Sequence, residues 1–310
     1  MREFDLLRSV FAKNALLPSH VLVPPGDDMA VVRTNDPVVL IAVDQIIEGR
    51  HVRADTDAAL VGRKAITRNC SDVAAMAALP TATVVAVALP PDYGTDRALA
   101  LFEGLRATAD LFGCPLVGGD LAFHEDPRAP LVCSVTIMAS PAWTGARVIT
   151  RSGSQLGDGL YVTGRLGGSL DPDGGGRHLT FDPRMDEGVA LLKDLGARLH
   201  AMIDISDGLG RDAAHLLEND SCAGLMIDLD ARAIPAHRGV PWQRAVTDGE
   251  DYELLFTATG QVPSTVCGTP VTRIGTVIER AGGIDGESLV LARDGSNRVD
   301  VSRAGWEHAS

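Results

Sequence analysis

The chain has 310 residues, 45% of them hydrophobic and 22% charged, with a formal net charge of −13. That length suits two domains with a core each, and that composition suits a soluble globular protein. The negative balance argues against a nucleic-acid or anionic-membrane surface, because both need clustered Lys and Arg.

The opening residues, MREFDLLRSV, include acids and lack a long apolar core, and no window reaches the roughly 18 apolar residues of a membrane span. The expectation is a cytoplasmic protein with no membrane or nucleic-acid partner. Cys70, Cys114, Cys133, Cys222 and Cys267 are odd in number and form no C-x-x-C pair, which indicates neither a disulfide framework nor a zinc site. The lysines are Lys13, Lys64 and Lys193, and none follows Gly-x-x-x-x-Gly, so the chain has no P-loop.

Apolar, β-branched runs predict strands at 38–43, 81–90 and 130–139, with helical patterns at 57–79 and 95–113 between them. A turn-rich passage at 139–159 follows and puts a boundary near residue 145, giving domains 1–145 and 146–310. The second half predicts strands at 160–164, 201–205, 224–228, 252–258 and 271–278, with helices at 184–200 and 207–219. Helix alternates with strand in both halves, which defines an α/β chain. The loop GRLGGSLDPDGGGRH, residues 164–178, matches no phosphate-binding fingerprint and reads as a flexible surface connection.

Acidic residues recur at strand ends and Gly-containing turns. They occur in PPGDDMAVV (24–32), IAVDQIIEGRHV (41–52), PLVGGDLAF (115–123), AMIDISDGLGRDAA (201–214) and VTDGEDYELLF (246–256). NCSDVAAMAA (69–78) and DISDGLGRDAA (204–214) both read as Ser-Asp at the head of an Ala-rich helix. Taken singly, such residues are turn formers and helix caps. Taken together, Asp27, Asp28, Asp44, Asp72, Asp120, Asp204 and Asp207 would repel one another severely if they converged without cations. Hard divalent cations fit oxygen ligands, and Mg2+ is usually held by a few carboxylates together with substrate phosphates. The pattern points to a polyphosphate such as ATP, with a carbohydrate hydrolase built on paired acids as the rival. Arg147 and Arg151 are candidates for phosphate contact, against the commoner fate of a solvated loop arginine. His51 and Trp306 are candidates for substrate contact, with structural roles as the alternative.

The segments GDDMAVV, DQIIEGRHV, NCSDVAAMAALP, GGD, TRSG, GDGLYVTG, IDISDGLGRD and GEDYELLF, in this order, resemble the thiamine-monophosphate kinase family. That family's superfamily includes aminoimidazole ribonucleotide synthetase, selenophosphate synthetase and a hydrogenase-maturation protein. The resemblance implies an α/β chain of α+β-type two-domain architecture, with the first domain's mixed sheet joining its partner's into a barrel across a homodimer. It implies that the first domain binds ATP and Mg2+ and dimerises, and that the second completes a cleft for ATP, thiamine monophosphate and several Mg2+. By motif position, metal ligands fall on Asp28, Asp44, Asp72, Asp120, Asp204 and Asp207, and ATP contacts on Gly119, Asp120, Arg151 and Ser206. Thiamine phosphate contacts fall on His51, Glu250 and Trp306, and Asp44, Asp72, Asp120, Asp207 and Arg151 carry the transfer. The chain departs from the family pattern at Ala42-Val43, at Leu121 after Gly-Gly-Asp, and at Asp248 where a Gly is common. The implied reaction is Mg2+-dependent, direct in-line phosphoryl transfer from ATP to thiamine monophosphate. The alternatives are another ATP-using synthetase of the superfamily and a non-catalytic nucleotide-binding homodimer.

Overall fold

The structure, a computed structural model, describes residues 17–23, 31–34, 37–280 and 288–306. Asp27 and Asp28 lie outside the described residues. The chain divides into two compact units. The first is Met1–Val73, Leu79–Ala146 and Asp173–Gly175; the second is Ala74–Ala78, Arg147–Pro172 and Gly176–Ser310.

The first unit runs β1 (Val21–Val23), β2 (Val31–Val32), β3 (Leu40–Ile47), α1 (Ala58–Ala75), β4 (Ala78–Leu89), α2 (Thr95–Leu111), β5 (Leu116–Phe123) and β6 (Val132–Pro141). β1 and β2 form a separate antiparallel pair. The main sheet has the order β3-β6-β4-β5 and is mixed: β3 pairs β6 antiparallel and β4 pairs β5 parallel. Glycines let α1 and α2 cross at close range, since a Cβ on Gly62 would stand 2.4 Å from the Leu101 carbonyl oxygen.

The expected barrel is a correction. The four strands form an open sheet with β3 and β5 at its edges, and no sheet closes on itself among the described residues. A barrel, whether formed by one chain or shared with a partner, leaves no free edge, and this sheet ends on β3 and β5.

Two local readings also change. Ser71 and Asp72 sit near the end of α1 and not at a helix head, because the chain reverses at Ala77, with φ 52°, and β4 begins at Ala78. The Gly-Gly-Asp of PLVGGDLAF lies inside β5 rather than at a turn. Glycine is needed there because a Cβ on Gly119 would stand 2.1 Å from the Val85 carbonyl oxygen of the neighbouring strand.

The second unit runs β7 (Gly159–Thr163), α3 (Met185–Leu195), β8 (Leu199–Asp204), α4 (Leu209–His215), β9 (Leu225–Asp230), α5 (Trp242–Thr247), β10 (Leu254–Ala258), β11 (Thr265–Val266), β12 (Thr269–Glu279), β13 (Val290–Asp294) and β14 (Asn297–Asp300). Its sheet follows the path β14-β13-β9-β12-β7-β10-β8, with β11 added on β12. The pairing is antiparallel except between β9 and β13. Every residue of β10 is buried, which is why LLFTA reads as a continuous run without polar alternation. Leu255 packs on one face with Leu209 and Ala213 of α4, whereas Leu254 and Phe256 pack on the other with Leu191 and Leu195 of α3. The sheet is therefore covered by helices on both sides.

Candidate functional site

In the second unit, β8 ends on Asp204, only 7% exposed, and the chain turns through Ile205, Ser206 and Asp207 into α4. The backbone ladder with the strand beside it continues past the end of β10. The Ile205 N–H donates to the Glu253 carbonyl (2.9 Å), the Tyr252 N–H to the Ile205 carbonyl (2.8 Å) and the Glu250 N–H to the Ser206 carbonyl (2.7 Å). The Trp306 N–H reaches the same turn and donates to the Asp207 carbonyl at 2.8 Å. Close approach demands glycine on both neighbours. A Cβ on Gly249 would stand 2.5 Å from the Ser206 oxygen, and one on Gly305 would stand 2.5 Å from the Asp207 oxygen. Asp204, Ser206, Asp207, Glu250 and Trp306 are thus assembled around one turn, although the chain from Asp204 to Trp306 is long.

Sequence reasoning assigned the capping of this helix to Ser206 and Asp207. The structure corrects it: the N-cap residue is Gly208, which has no side chain, and the helix starts at Leu209 and ends at His215 rather than spanning 207–219. Asp212 reaches back instead to the turn ahead of the helix, and its Oδ2 accepts the N–H groups of Ser206, Asp207 and Gly208, each at 3.0 Å. Burial, followed by the charges of Asp204 and Asp207, pushes the Asp212 carboxyl well above the usual carboxylate range. Asp207, Asp212 and His215 each offer a ligand atom, and these atoms lie within 4.8 Å of one another. Asp212 is a residue that sequence reasoning missed. The available signal was its place in the quoted GRD, one turn inside a helix whose N-cap is glycine.

The Gly-rich segment read as a flexible connection is instead pinned residue by residue to 248–253. Asp248 Oδ2 accepts the Gly168 N–H at 2.9 Å. The buried Asp251 carboxylate accepts the Gly167 N–H at 2.9 Å and the Ser169 hydroxyl at 2.5 Å, with Arg177 at 3.3 Å. Burial raises Asp251 to about 6 despite these donors. Tyr252 stacks on Phe181 with ring centroids 3.9 Å apart. Glu253 accepts the Thr163 hydroxyl at 2.7 Å and takes a two-point ion pair from Arg184 at 2.7 and 2.5 Å. The hydrogen-bonded partners are separated by 69 to 90 residues, so the sequence gives no local sign of them.

Arg151 lies exposed in the irregular stretch ahead of β7. That stretch runs along β8, where the Met202 N–H donates to the Thr150 carbonyl at 3.0 Å. Arg147, the second phosphate candidate, instead donates to the carbonyls of Gly196 (3.0 Å) and Leu199 (2.5 Å). Its position is that of a structural cap on the chain leaving α3.

In the first unit, Asp44 sits on edge strand β3, opposite Val135 of β6. Arg68 of α1 pairs with it at 3.3 Å and also donates to the Gln45 carbonyl at 3.0 Å. Asp72 follows Arg68 by one helical turn and therefore shares its face of α1. That helix has no basic residue in its last turn, where Asp72 lies at the negative end of the helix dipole. His51 accepts the Ile47 N–H on Nδ1 at 2.9 Å, which fixes the proton of the neutral ring on Nε2. Gly119 and Asp120 are exposed on edge strand β5.

Both units pack helices on mixed sheets, with Asp44 and Asp120 inside strands β3 and β5, Asp72 on α1 and Asp204 at the end of β8, which defines a two-unit α/β chain with acids on both sheets. A family model described as "AIR synthase related protein, N-terminal domain" matches residues 26–140. The thiamine-monophosphate kinase of Rhodopirellula baltica is 35% identical over 284 residues, which is 85% of each chain. The crystal structure of thiamine-monophosphate kinase from Stenotrophomonas maltophilia K279a has a TM-score of 0.75 at 28% identity, covering 91% of this chain and 96% of that one. The solved structure of AaThiL complexed with AMPPCP and TMP has a TM-score of 0.72 at 28% identity, covering 100% of this chain and 99% of that one. The chain belongs to the thiamine-monophosphate kinase family.

Proposed function

We infer that this chain phosphorylates thiamine monophosphate with ATP, giving thiamine diphosphate. The observation that carries this reading is the 35% identity to a thiamine-monophosphate kinase over 85% of both chains. The close fold of AaThiL, solved with AMPPCP and TMP, supports it.

The nucleophile is a phosphate oxygen of thiamine monophosphate, already ionised at neutral pH, so no side chain has to remove a proton. The work left to the protein is alignment of two polyanions and relief of their repulsion. Arg151 serves the second purpose on phosphate oxygens, and Ser206 and Gly119 contact ATP. Glu250, His51 and Trp306 contact thiamine monophosphate.

The residues present fit Mg2+. Asp204 and Asp207 lie close enough to Asp212 for their charges to raise its pKa, so this turn concentrates hard oxygen donors that a divalent cation would relieve. Several Mg2+ are read for the chain: Asp204 and Asp207 would serve as ligands in the second unit and Asp44, Asp72 and Asp120 in the first, with Asp28 from the sequence motif. When bound, Mg2+ supplies charge neutralisation on the transferring phosphoryl oxygens. Ala42-Val43 offers no hydroxyl beside Asp44, which leaves carboxylate and backbone oxygens as the donors there.

The protein is read as a homodimer. On β3 the side chains of Ile41 and Val43 are 69% and 65% exposed, and Val84 of β4 is 40% exposed, an apolar surface that a second copy would cover. No helix among the described residues is long and apolar enough to cross a membrane. A cytoplasmic location fits five cysteines that are all thiols. The test of the reaction is chromatographic detection of thiamine diphosphate from thiamine monophosphate and ATP. Light scattering at several protein concentrations tests the dimer, and a strictly monomeric mass would remove it.

A further inference from the structure

Glu250 and Tyr252 both adopt left-handed backbone conformations, with φ of 60° and 53°, although neither is glycine. Such residues are uncommon and persist where the surroundings over-determine them. Here they do: the side chains of Asp251, Tyr252 and Glu253 are each anchored to a different point of the segment running from Thr163 to Arg184. Glu250 is anchored too, but its partner is of another kind. His178, on the short 3-10 turn Arg177–Leu179, places Nδ1 3.0 Å from Glu250 Oε2. The His178 side chain is 1% exposed, while that of Glu250 is 26% exposed. The carboxylate thus has one side against a buried ring and another open to solvent, which is how a group that meets a ligand differs from a buried structural pair.

We propose that His178 is a positioning residue for Glu250, setting the carboxylate that contacts thiamine monophosphate. An ionised carboxylate only accepts, so the ring carries its proton on Nδ1 and donates it to Oε2. That bond selects one rotamer of a side chain with three rotatable torsions, and the entropy of ordering Glu250 is removed before the ligand arrives. The His178 backbone is itself fixed, because its N–H donates to the Ser169 carbonyl at 3.1 Å and the Ser169 hydroxyl is held by Asp251. The Gly-rich segment thereby carries the support of the acceptor subsite on a pinned scaffold. The proposal rests on the reading that thiamine monophosphate is the acceptor and Glu250 contacts it.

The test compares His178→Leu, which keeps bulk and removes the donor, with His178→Asn, whose amide restores a donor near the Nδ1 position. Steady-state rates give KM for thiamine monophosphate and for ATP separately. His178→Leu is expected to raise KM for thiamine monophosphate roughly tenfold, with KM for ATP unchanged, and His178→Asn to recover most of the loss. Equal changes in both KM values, no change, or an Asn variant no better than Leu would overturn the proposal. If neither variant folds, the wild-type protein decides by NMR. The His178 Nδ1–H resonance should shift on adding thiamine monophosphate and not on adding ATP alone, and an unmoved resonance overturns the proposal. Wild-type protein that makes no thiamine diphosphate would sink the acceptor reading itself, whereas wild-type turnover with an unaffected His178→Leu sinks only the role of His178.

Discussion

Asp212 Oδ2 lies 3.0 Å from the backbone nitrogen of Asp207, so the acid inside α4 holds in place the acid that precedes it. The same oxygen takes the N–H groups of Ser206 and Gly208. Removing it leaves these donors without their acceptor at a turn that is partly buried. Asp212→Ala should cost about 2 kcal/mol or more in urea unfolding, and Asp212→Asn, which keeps a carbonyl oxygen, should cost less. Equal and small losses in both variants would show that the turn is held by other means.

Asp207 and Asp72 carry a different expectation, because the reading gives them to metal and phosphate rather than to the fold. Asp207→Asn and Asp72→Asn should each lower turnover by about 100-fold or more while the melting temperature holds. Near-wild-type turnover at saturating Mg2+ in either variant would remove that residue from the metal set.

Asp251 supplies a pH dependence. Its folded-state pKa is raised from 3.8 to about 6 by burial. A carboxyl raised in this way favours the folded state when protonated, so its contribution is fully present below about pH 4 and is lost as pH rises through about 6. A rise of that size corresponds to about 3 kcal/mol. The stability of the wild type relative to Asp251→Asn should therefore fall between pH 4 and pH 6.5 in denaturant melts. A difference that does not vary with pH would contradict the burial of an ionisable group there.

Gly249 tests the approach of the 248–253 segment to the Ser206 turn. Gly249→Ala would place a methyl carbon 2.5 Å from the Ser206 carbonyl oxygen, a backbone atom that cannot swing away. The expected cost is about 2 kcal/mol or more in stability, with a raised KM for thiamine monophosphate because Glu250 is displaced. A variant with unchanged melting temperature and KM would mean that the segment shifts freely.

What was legible in the sequence followed local pattern. The apolar run before Asp204 and the helical pattern after it announced a strand, a turn and a helix, and the structure has all three. Ser71-Asp72 misled because Val73 to Ala78 continues a helical composition with no Gly or Pro to mark the reversal at Ala77. Gly119 misled in the opposite direction: glycine argues for a turn, but here tight contact with Val85 requires it within a strand. The Gly-rich segment could not be read locally, because the acids that pin it lie about 80 residues away. Asp212 went unseen because a helix-interior Asp usually faces solvent, whereas this one turns back onto the backbone of Ser206, Asp207 and Gly208.

The most direct measurement is formation of thiamine diphosphate from thiamine monophosphate and ATP, with and without Mg2+, followed by chromatography. The account predicts product that appears only with Mg2+. ATP that binds in the presence of Mg2+ while no thiamine diphosphate forms would contradict it.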